Sequence, residues 1–241
     1  MVQTVDLMPS TPVKRVGMLA PMQHELAPIV RRLQLEADGS VHRGRAGDHE
    51  VVAMLTTMGM APAADAARRM LDLDVDWVMV VGIAGGLDPD VVTIGDVIIP
   101  DVVVDRATGD AFQPTIGGGT GPRGVLSCGD ELITDRAPLA QMAADGVIAV
   151  DMETAAVAAV CAAAGCPWSA HRSISDFAGG GLVDDAVFAM TRPDGTADPD
   201  ALKRYFSENP ERIAVLKQLA QDMTVATEAA AESAIRSCAD L

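Results

Sequence analysis

Carboxylates follow three short apolar runs of this sequence, and an arginine lies close to the last of them. Glu25 follows the first run, Asp151 and Glu153 follow a second, and Asp176 follows a third that contains Arg172. In α/β proteins such runs form buried strands whose ends deliver side chains into a cleft. A carboxylic acid at a semi-buried strand end can exchange a proton near neutral pH, because burial raises its pKa. The pattern predicts a site where acids from three strand ends meet.

The elements that must position these acids alternate between strand and helix along the chain. Strands are predicted over residues 16–20, 41–45, 50–57, 77–81, 94–100, 102–104, 147–150 and 168–175. Helices are predicted over 22–33, 60–73, 130–144 and 153–164, and from 198 onward with a break near 209–210. Residues 106–124 are predicted to form a loop or lid, and 179–199 an irregular acidic segment. No internal repeat or Pro/Ser linker divides the chain, so a single α/β domain over 15–241 is expected.

Composition excludes several classes of partner. The formal net charge of −16 repels nucleic-acid backbones and anionic membranes, so neither is expected to bind. The apolar runs are short and broken by Gly, Pro or Asp, so no membrane span is predicted. Residues 1–14 lack the apolar core of a secretory signal and are predicted to be a partly disordered leader.

The four cysteines indicate reduced thiols rather than a metal site or a disulfide framework. Cys128, Cys161, Cys166 and Cys238 form no CxxC pair and have no histidine at metal-ligand spacing. We therefore expect a cytoplasmic protein with mostly buried thiols and no bound metal.

A glycine-rich stretch after the 77–81 strand is a candidate ligand-binding turn. Residues 82–86 read Gly-Ile-Ala-Gly-Gly, which matches neither GxGxxG nor GxxxxGK[ST], so no dinucleotide cofactor is expected. We predict a tight turn that either has no ligand or lets the backbone approach a small one.

Taken together and in this order, these motifs resemble the nucleoside phosphorylase/nucleosidase superfamily, most closely the 5′-methylthioadenosine/S-adenosylhomocysteine nucleosidases. The resemblance covers about residues 15–178. It rests on the segments 21–25, 82–87, 94–97, 151–153 and 175–176. It implies a three-layer α/β/α fold with a central mixed, partly barrel-like sheet flanked by helices. It also implies a small-molecule nucleoside substrate and no cofactor.

The resemblance assigns separate roles to the acids. Asp176, oriented by Ser175, protonates the leaving purine base, and Glu153 accepts hydrogen bonds from the ribose hydroxyls. Met152 packs against the sugar. Glu25 activates the attacking water.

Arg172 is expected to help hold Glu25 and the water, as the equivalent arginine does in the family. It shares the strand parity of Asp176, so both side chains can face the cleft. The alternative is a structural ion pair that does not touch the chemistry, because an arginine in so apolar a strand needs a carboxylate partner.

Three positions depart from the nucleosidase pattern. Ile83 replaces a serine that contacts the water, Leu132 replaces an aromatic that stacks on the base, and Asp151 replaces a longer glutamate. Ile133 can still offer backbone hydrogen bonds to an adenine edge. Phe177 is a candidate replacement for the missing stacking ring. Further substrate contacts are expected from Met22, Met58, Ala84 and Gly85.

Alternatives remain open at this stage. A phosphorylase needs cationic groups for phosphate, and the arginines that bacterial hexameric members carry are absent, so hydrolysis is favoured. The segments 106–124 and 179–199 could reshape the pocket for a futalosine-type or adenosylhopane-type nucleoside. A non-catalytic nucleoside-binding protein is the third alternative. His24 and His171 are expected to be ordinary polar residues, and the helix at 60–73 is expected to support a homodimer.

Overall fold

A computed structural model describes residues 15–115, 123–181, 183 and 185–241 of the chain. The predicted leader, residues 1–14, lies outside the described residues, and so do residues 116–122 of the predicted loop.

The described strands form one 11-stranded mixed sheet. They are β1 (Arg15–Ala20), β2 (Glu36–Asp38), β3 (Val41–Ala46), β4 (His49–Leu55), β5 (Trp77–Gly86), β6 (Val97–Ile98), β7 (Val102–Asp105), β8 (Ala111–Phe112), β9 (Val125–Cys128), β10 (Val147–Asp151) and β11 (Trp168–Phe177). The main path runs β2-β3-β4-β1-β5-β10-β9-β7-β8, and β11 pairs with β5 and β6. Strands β4, β1, β5 and β11 are mutually parallel, so their carboxyl ends lie at the same edge of the sheet.

Helices cover both faces of this sheet. They are α1 (Gln23–Leu33), α2 (Met60–Leu71), α3 (Arg136–Ala144), α4 (Thr154–Ala164), α5 (Asp185–Ala189), α6 (Pro199–Glu208) and α7 (Arg212–Ala239). None of the helices in the described part of the chain is both long and apolar enough to cross a membrane.

Two hydrophobic cores lie on opposite faces of the central strands, because side chains alternate along a strand. Leu19 and Val80 join the core that also contains residues of α2 and α4. Met18 and Met79, their neighbours in sequence, join the core that contains residues of α1 and α7. The predicted α/β architecture, a mixed sheet flanked by helices, is confirmed.

Helix α4 is held at both ends, and its end is predicted from the sequence, because Gly165 is followed two residues later by Pro167. Asp151 Oδ1 accepts hydrogen bonds from the backbone N–H groups of Glu153 and Thr154, each at 3.3 Å. Gly165 ends the helix in the left-handed conformation with φ 67°. Because the first turn of α4 starts directly after β10, Glu153 is brought to the carboxyl edge of the sheet.

Several elements differ from their predictions. Strands β2, β8 and β9 and helix α5 were not predicted. The glycine stretch is not a turn, because β5 continues through Gly82 to Gly86 with parallel pairing to β11. Glycine removes a side chain but keeps the backbone groups that a sheet needs. The helix predicted to begin at residue 130 begins at Arg136, because Asp135 Oδ1 caps it by accepting from the Ala137 N–H at 3.2 Å.

Candidate active site

A cavity of about 630 Å³ lies at the carboxyl edge of the sheet, between the ends of the central strands and helices α1 and α7. Most of the predicted site residues line it. They are Met22, Glu25, Met58, Ile83, Ala84, Gly85, Leu132, Ile133, Asp151, Met152, Glu153, Ser175 and Asp176. Two predicted residues, Arg172 and Phe177, do not line this cavity. The topology therefore brings six separate segments of the sequence to one place.

Glu25 is fixed by two backbone donors. It lies in the first turn of α1, where its Oε2 accepts from the Met22 N–H at 2.7 Å and closes the turn as a capping box. Its Oε1 accepts from the Ile83 N–H on β5, also at 2.7 Å. Burial raises the pKa of Glu25 to about 8, although the nearby Arg172 guanidinium opposes this shift. Glu25 is thus a rigid carboxyl group that titrates close to neutral pH.

Arg172 is completely buried beneath the cavity and joins three carboxylates. Its Nη2 lies 2.7 Å from Asp151 Oδ2 and 3.1 Å from Glu153 Oε2, and its Nη1 lies 3.8 Å from Glu25 Oε1. Its Nε donates to Thr154 Oγ1 at 3.0 Å. Within the described residues Nη1 has no hydrogen-bond acceptor. The guanidinium is therefore a structural ion pair with Asp151 and Glu153, and one amino group remains directed at the Glu25 side of the cluster.

Glu153 is held on both carboxylate oxygens. Oε1 accepts from the Gly59 N–H at 3.0 Å, and Oε2 accepts from Arg172. Burial raises the pKa of Glu153 to about 7, opposed by Arg172 and assisted by the charge of Asp151. Asp151 borders the cavity, but its oxygens are already bonded to Arg172 and to the first turn of α4, including the Thr154 hydroxyl. Asp151 therefore helps to hold Glu153 in position.

Ser175 and Asp176 reach the cavity together because β11 is irregular at this point. The pairing register between β11 and β5 shifts between Ile174 and Asp176. This irregularity breaks the simple alternation that the sequence analysis used to place Arg172 and Asp176 on one face. Ser175 Oγ donates to Asp176 Oδ1 at 2.6 Å. Burial raises the pKa of Asp176, and the Ser175 hydrogen bond partly offsets that shift.

The proposed stacking role of Phe177 is not supported by its position. Phe177 packs against the core that includes Ile174 and Val92, on the far side of the strand from Asp176. Neighbouring strand residues point in opposite directions, which accounts for this. Phe188 of α5 lines the cavity instead, and the sequence analysis missed it because that helix falls within the segment predicted to be irregular.

His24 and His171, the two histidines close in sequence to predicted catalytic residues, lie in different environments. His171 is buried beneath α7, where its ring contacts Ser233 Oγ at 3.0 Å and Ser169 Oγ at 3.3 Å. Burial lowers the pKa of His171 to about 4, so it is a neutral structural residue. His24 lines the cavity, and its buried Nε2 has no hydrogen-bond partner among the described residues.

The long C-terminal helix also supplies part of the cavity wall, which the sequence analysis did not foresee. Residues of α7 between 219 and 228 face residues of α1 between 24 and 31 across the cavity. At the end of this wall Glu228 pairs with Arg31 and Arg32. The sequence offers one signal for this wall, the apolar spacing of α7. That spacing indicates that the helix packs against the protein but does not show which element it contacts.

Glu25→Gln is expected to flatten the dependence of stability on pH. Above about pH 4.5 the unfolded chain releases the Glu25 proton, whereas the folded chain keeps it until about 8. The folded state binds more protons in this window, so its free energy of unfolding falls as pH rises, and glutamine removes that contribution. Urea denaturation at a series of pH values measures the slope. Glu36→Gln, at an exposed position, is the charge-matched control. An unchanged slope in Glu25→Gln would contradict the raised pKa.

Comparisons with known proteins agree with this geometry. The profile of the Phosphorylase superfamily matches residues 15–123 and 122–202. A 5′-methylthioadenosine/S-adenosylhomocysteine nucleosidase of Marinomonas sp. is 28% identical over 200 residues, covering 68% of this chain and 86% of the relative. A nucleosidase of the same name from Tolumonas auensis is 25% identical over 205 residues, covering 68% and 87%.

Solved structures share the fold. The 5′-methylthioadenosine/S-adenosylhomocysteine nucleosidase of Helicobacter pylori superposes with a TM-score of 0.72 at 18% identity, covering 96% of this chain and 100% of that one. The futalosine hydrolase of Helicobacter pylori gives 0.70 at 18% identity, covering 95% and 98%. With the profile matching most of its length, the chain belongs to the phosphorylase superfamily.

Proposed function

We propose that this protein hydrolyses the N-glycosidic bond of a 5′-substituted adenine nucleoside, such as 5′-methylthioadenosine or S-adenosylhomocysteine. The products are the free base and the 5-substituted ribose. The observation that carries the proposal is the arrangement of Glu25 and Glu153 around Arg172, with Asp176 on the same cavity. The names of the curated relatives support the same reaction.

The first step of the proposed mechanism is protonation of the leaving base. Departure of a purine leaves an electron-poor, oxocarbenium-like sugar and an electron-rich base, so a proton donor at the base lowers the barrier. Asp176 suits this task because burial raises its pKa and so keeps a proton available. Ser175 orients the carboxyl group through its hydrogen bond to Oδ1.

The second step is attack of water on the sugar. Glu25 accepts the proton of that water, and a base with a pKa of about 8 is well matched to work near neutral pH. Arg172, buried beneath the cavity with its Nη1 3.8 Å from Glu25 Oε1, favours the ionised form of Glu25 that this step needs. Glu153 holds the ribose hydroxyls and so fixes the sugar between the acid and the base. Ile83 contributes its backbone N–H to Glu25 and so orients the base, a contact that does not depend on its side chain.

Hydrolysis is favoured over phosphorolysis by the charge of the site. Three carboxylates surround Arg172, and its Nη2 and Nε are already bonded. The guanidiniums that line the cavity already have partners. Arg106 donates to backbone carbonyls, and Arg31 pairs with Glu228. Among the described residues that line the cavity, no guanidinium is therefore uncommitted and able to bind a phosphate dianion beneath the sugar.

The deciding experiment measures free base after incubation with 5′-methylthioadenosine, S-adenosylhomocysteine, adenosine, inosine and futalosine, with and without phosphate. We expect adenine from the 5′-thio nucleosides and no gain in rate with phosphate. Ribose 1-phosphate as a product would overturn hydrolysis in favour of phosphorolysis. If no substrate releases base while binding is retained, the non-catalytic alternative stands.

A longer 5′ substituent is the second candidate, favoured by one observation. The cavity continues past Glu25 along α1 and α7, where His24 Nε2 is buried without a partner among the described residues. One solved structure with the same fold is a futalosine hydrolase. Faster release of base from futalosine than from 5′-methylthioadenosine would favour this candidate.

Gly82→Ala is expected to disable the proposed water site. A Cβ at this position would lie 2.2 Å from Glu25 Oε1 and 2.6 Å from Arg172 Nη1, so one of them must move. A misplacement on the order of 1 Å can cost about 100-fold in rate, and we expect kcat to fall by roughly that factor. Gly17→Ala is the control, because its Cβ would instead meet the flexible Met70 side chain. That variant should lose stability but keep its kcat, whereas wild-type kcat in Gly82→Ala would count against Glu25.

We also propose that the protein works as a homodimer in the cytoplasm. Ala61, exposed on the outer side of α2, offers a small apolar side chain to a second copy. The free state of all four cysteines is consistent with a reducing compartment. A monomer in sedimentation at micromolar concentration would contradict the dimer.

A further inference from the structure

Two cysteines meet where α4 ends. The Cys166 N–H donates to the Cys161 carbonyl at 3.0 Å, and the Gly165 N–H donates to the Ala162 carbonyl at 3.2 Å. With Gly165 in the left-handed conformation, these bonds form a Schellman motif. This motif normally brings two apolar side chains together, at its first and last positions. Here both positions are cysteine, so the motif brings two thiols into contact.

The two thiols have unequal environments. Cys161 is fully buried in the core beneath α4, whereas Cys166 is partly exposed. A hydrogen bond from the Cys161 thiol lowers the pKa of Cys166, against the opposing effects of burial and of Asp76. The same hydrogen bond, with burial, raises the pKa of Cys161. In its protonated form Cys166 can donate to the Pro167 carbonyl at 3.5 Å. The accessible Cys166 sulfur is therefore the better nucleophile. The buried Cys161 supplies a proton and the second thiol.

We propose that Cys161 and Cys166 are a site of reversible thiol oxidation, at which a hydroperoxide converts the pair into a disulfide. The Cys166 thiolate attacks one peroxide oxygen, the O–O bond breaks, and Cys166 becomes a sulfenic acid as hydroxide leaves. The Cys161 sulfur then attacks the Cys166 sulfur, the S–S bond forms, and the sulfenic oxygen leaves as water with the Cys161 proton. Two thiols are oxidised by two electrons, and hydrogen peroxide is reduced to two waters.

Backbone geometry favours this bond. A disulfide requires Cα atoms roughly 4.4–6.8 Å apart, and the direct hydrogen bond between the two backbones keeps Cys161 and Cys166 close. Within the described part of the chain, neither Cys128 nor Cys238 has a second thiol hydrogen-bonded to it in this way. Cys128 is buried beside Asp151, which together with burial raises its pKa, and burial raises the pKa of Cys238 to about 11. Oxidation should therefore be selective for the α4 pair.

The first test uses the wild-type protein under native conditions. After limited hydrogen peroxide and its removal, the protein is denatured, free thiols are blocked with N-ethylmaleimide, and the intact and digested masses are measured. We expect loss of two hydrogens from the peptide that contains both Cys161 and Cys166, reversed by dithiothreitol. Cys128 and Cys238 should be recovered alkylated, and the Cys128→Ala/Cys238→Ala variant should oxidise as the wild type does. A disulfide between two copies, or four alkylated thiols after treatment that oxidises glutathione, would overturn the proposal.

Single variants test the separate roles of the two sulfurs. In Cys161→Ala the sulfenic acid of Cys166 has no thiol to resolve it and should be trapped by dimedone. Loss of the Cys161 donor should also raise the pH midpoint of Cys166 alkylation by iodoacetamide. Dimedone labelling at Cys161 in Cys166→Ala, to the same extent, would contradict the assigned order. A thermal melt of each variant distinguishes loss of folding from loss of chemistry.

Discussion

Asp176→Asn is expected to abolish release of the base while leaving nucleoside binding largely intact. Asparagine has nearly the shape of aspartate and can keep the hydrogen bond with Ser175, but it cannot deliver a proton to a leaving purine. General acid catalysis contributes about 10²- to 10⁴-fold, so kcat should fall by that factor. Base release measures the rate, and calorimetric titration with adenine measures binding.

Two controls make this result specific. Asp90→Asn removes an exposed carboxylate and should leave kcat unchanged. Ser175→Ala removes the hydrogen bond that lowers the pKa of Asp176, so that pKa should rise. Since the acid must be protonated, the limb of kcat/KM that falls with increasing pH should then move to higher pH. Wild-type kcat in Asp176→Asn would end the assignment of the general acid.

Arg172→Met is expected to have the largest effect on stability. The substitution keeps an apolar stem in the buried site but leaves Glu25, Asp151 and Glu153 without their shared cation. Removing one partner from a buried ion pair costs about 3–5 kcal/mol. Chemical denaturation should show a loss of this size in the free energy of unfolding near neutral pH. Since Arg172 lowers the pKa of Glu25 and Glu153, the loss should be smaller in acid, where the carboxyl groups are protonated.

Arg43→Met is the matched control for this measurement. Arg43 pairs with Asp38 at 2.8 Å on the exposed edge of the sheet, where an ion pair contributes about 0–1 kcal/mol. If Arg172→Met does not fold, Arg172→Met combined with Glu153→Gln removes one of the uncompensated charges and should recover part of the stability. A loss in Arg172→Met no larger than in Arg43→Met would mean that the buried cluster is not held by charge.

Much of the framework was predictable because it depends on local signals. The alternation of apolar runs with helical spacing predicted the α/β fold, and Gly165 predicted the end of α4. The acids that follow the apolar runs were candidates for the same reason. The strands β3 and β4 were also predicted, over residues 41–45 and 50–57.

The contacts that connect the site were not predictable in the same way, because they depend on register between distant strands. The position of Arg172 beneath Asp151 and Glu153 requires β11 to pair with β5 and α4 to start directly after β10. Parity along β11 suggested that Arg172 faces the cleft, but the irregular pairing near Asp176 changes which side chains reach it.

For this protein the sequence alone determined most of the strands and helices, the acids available for catalysis and the end of α4 at Gly165. Only the tertiary structure decided that Gly82 lies where Glu25 and Arg172 approach each other, and that Phe188 lines the cavity instead of Phe177. The physical reason is the range of the interactions. Caps and periodicity act within a few residues, whereas burial, ion pairing and the pKa of a carboxyl group depend on everything packed around it.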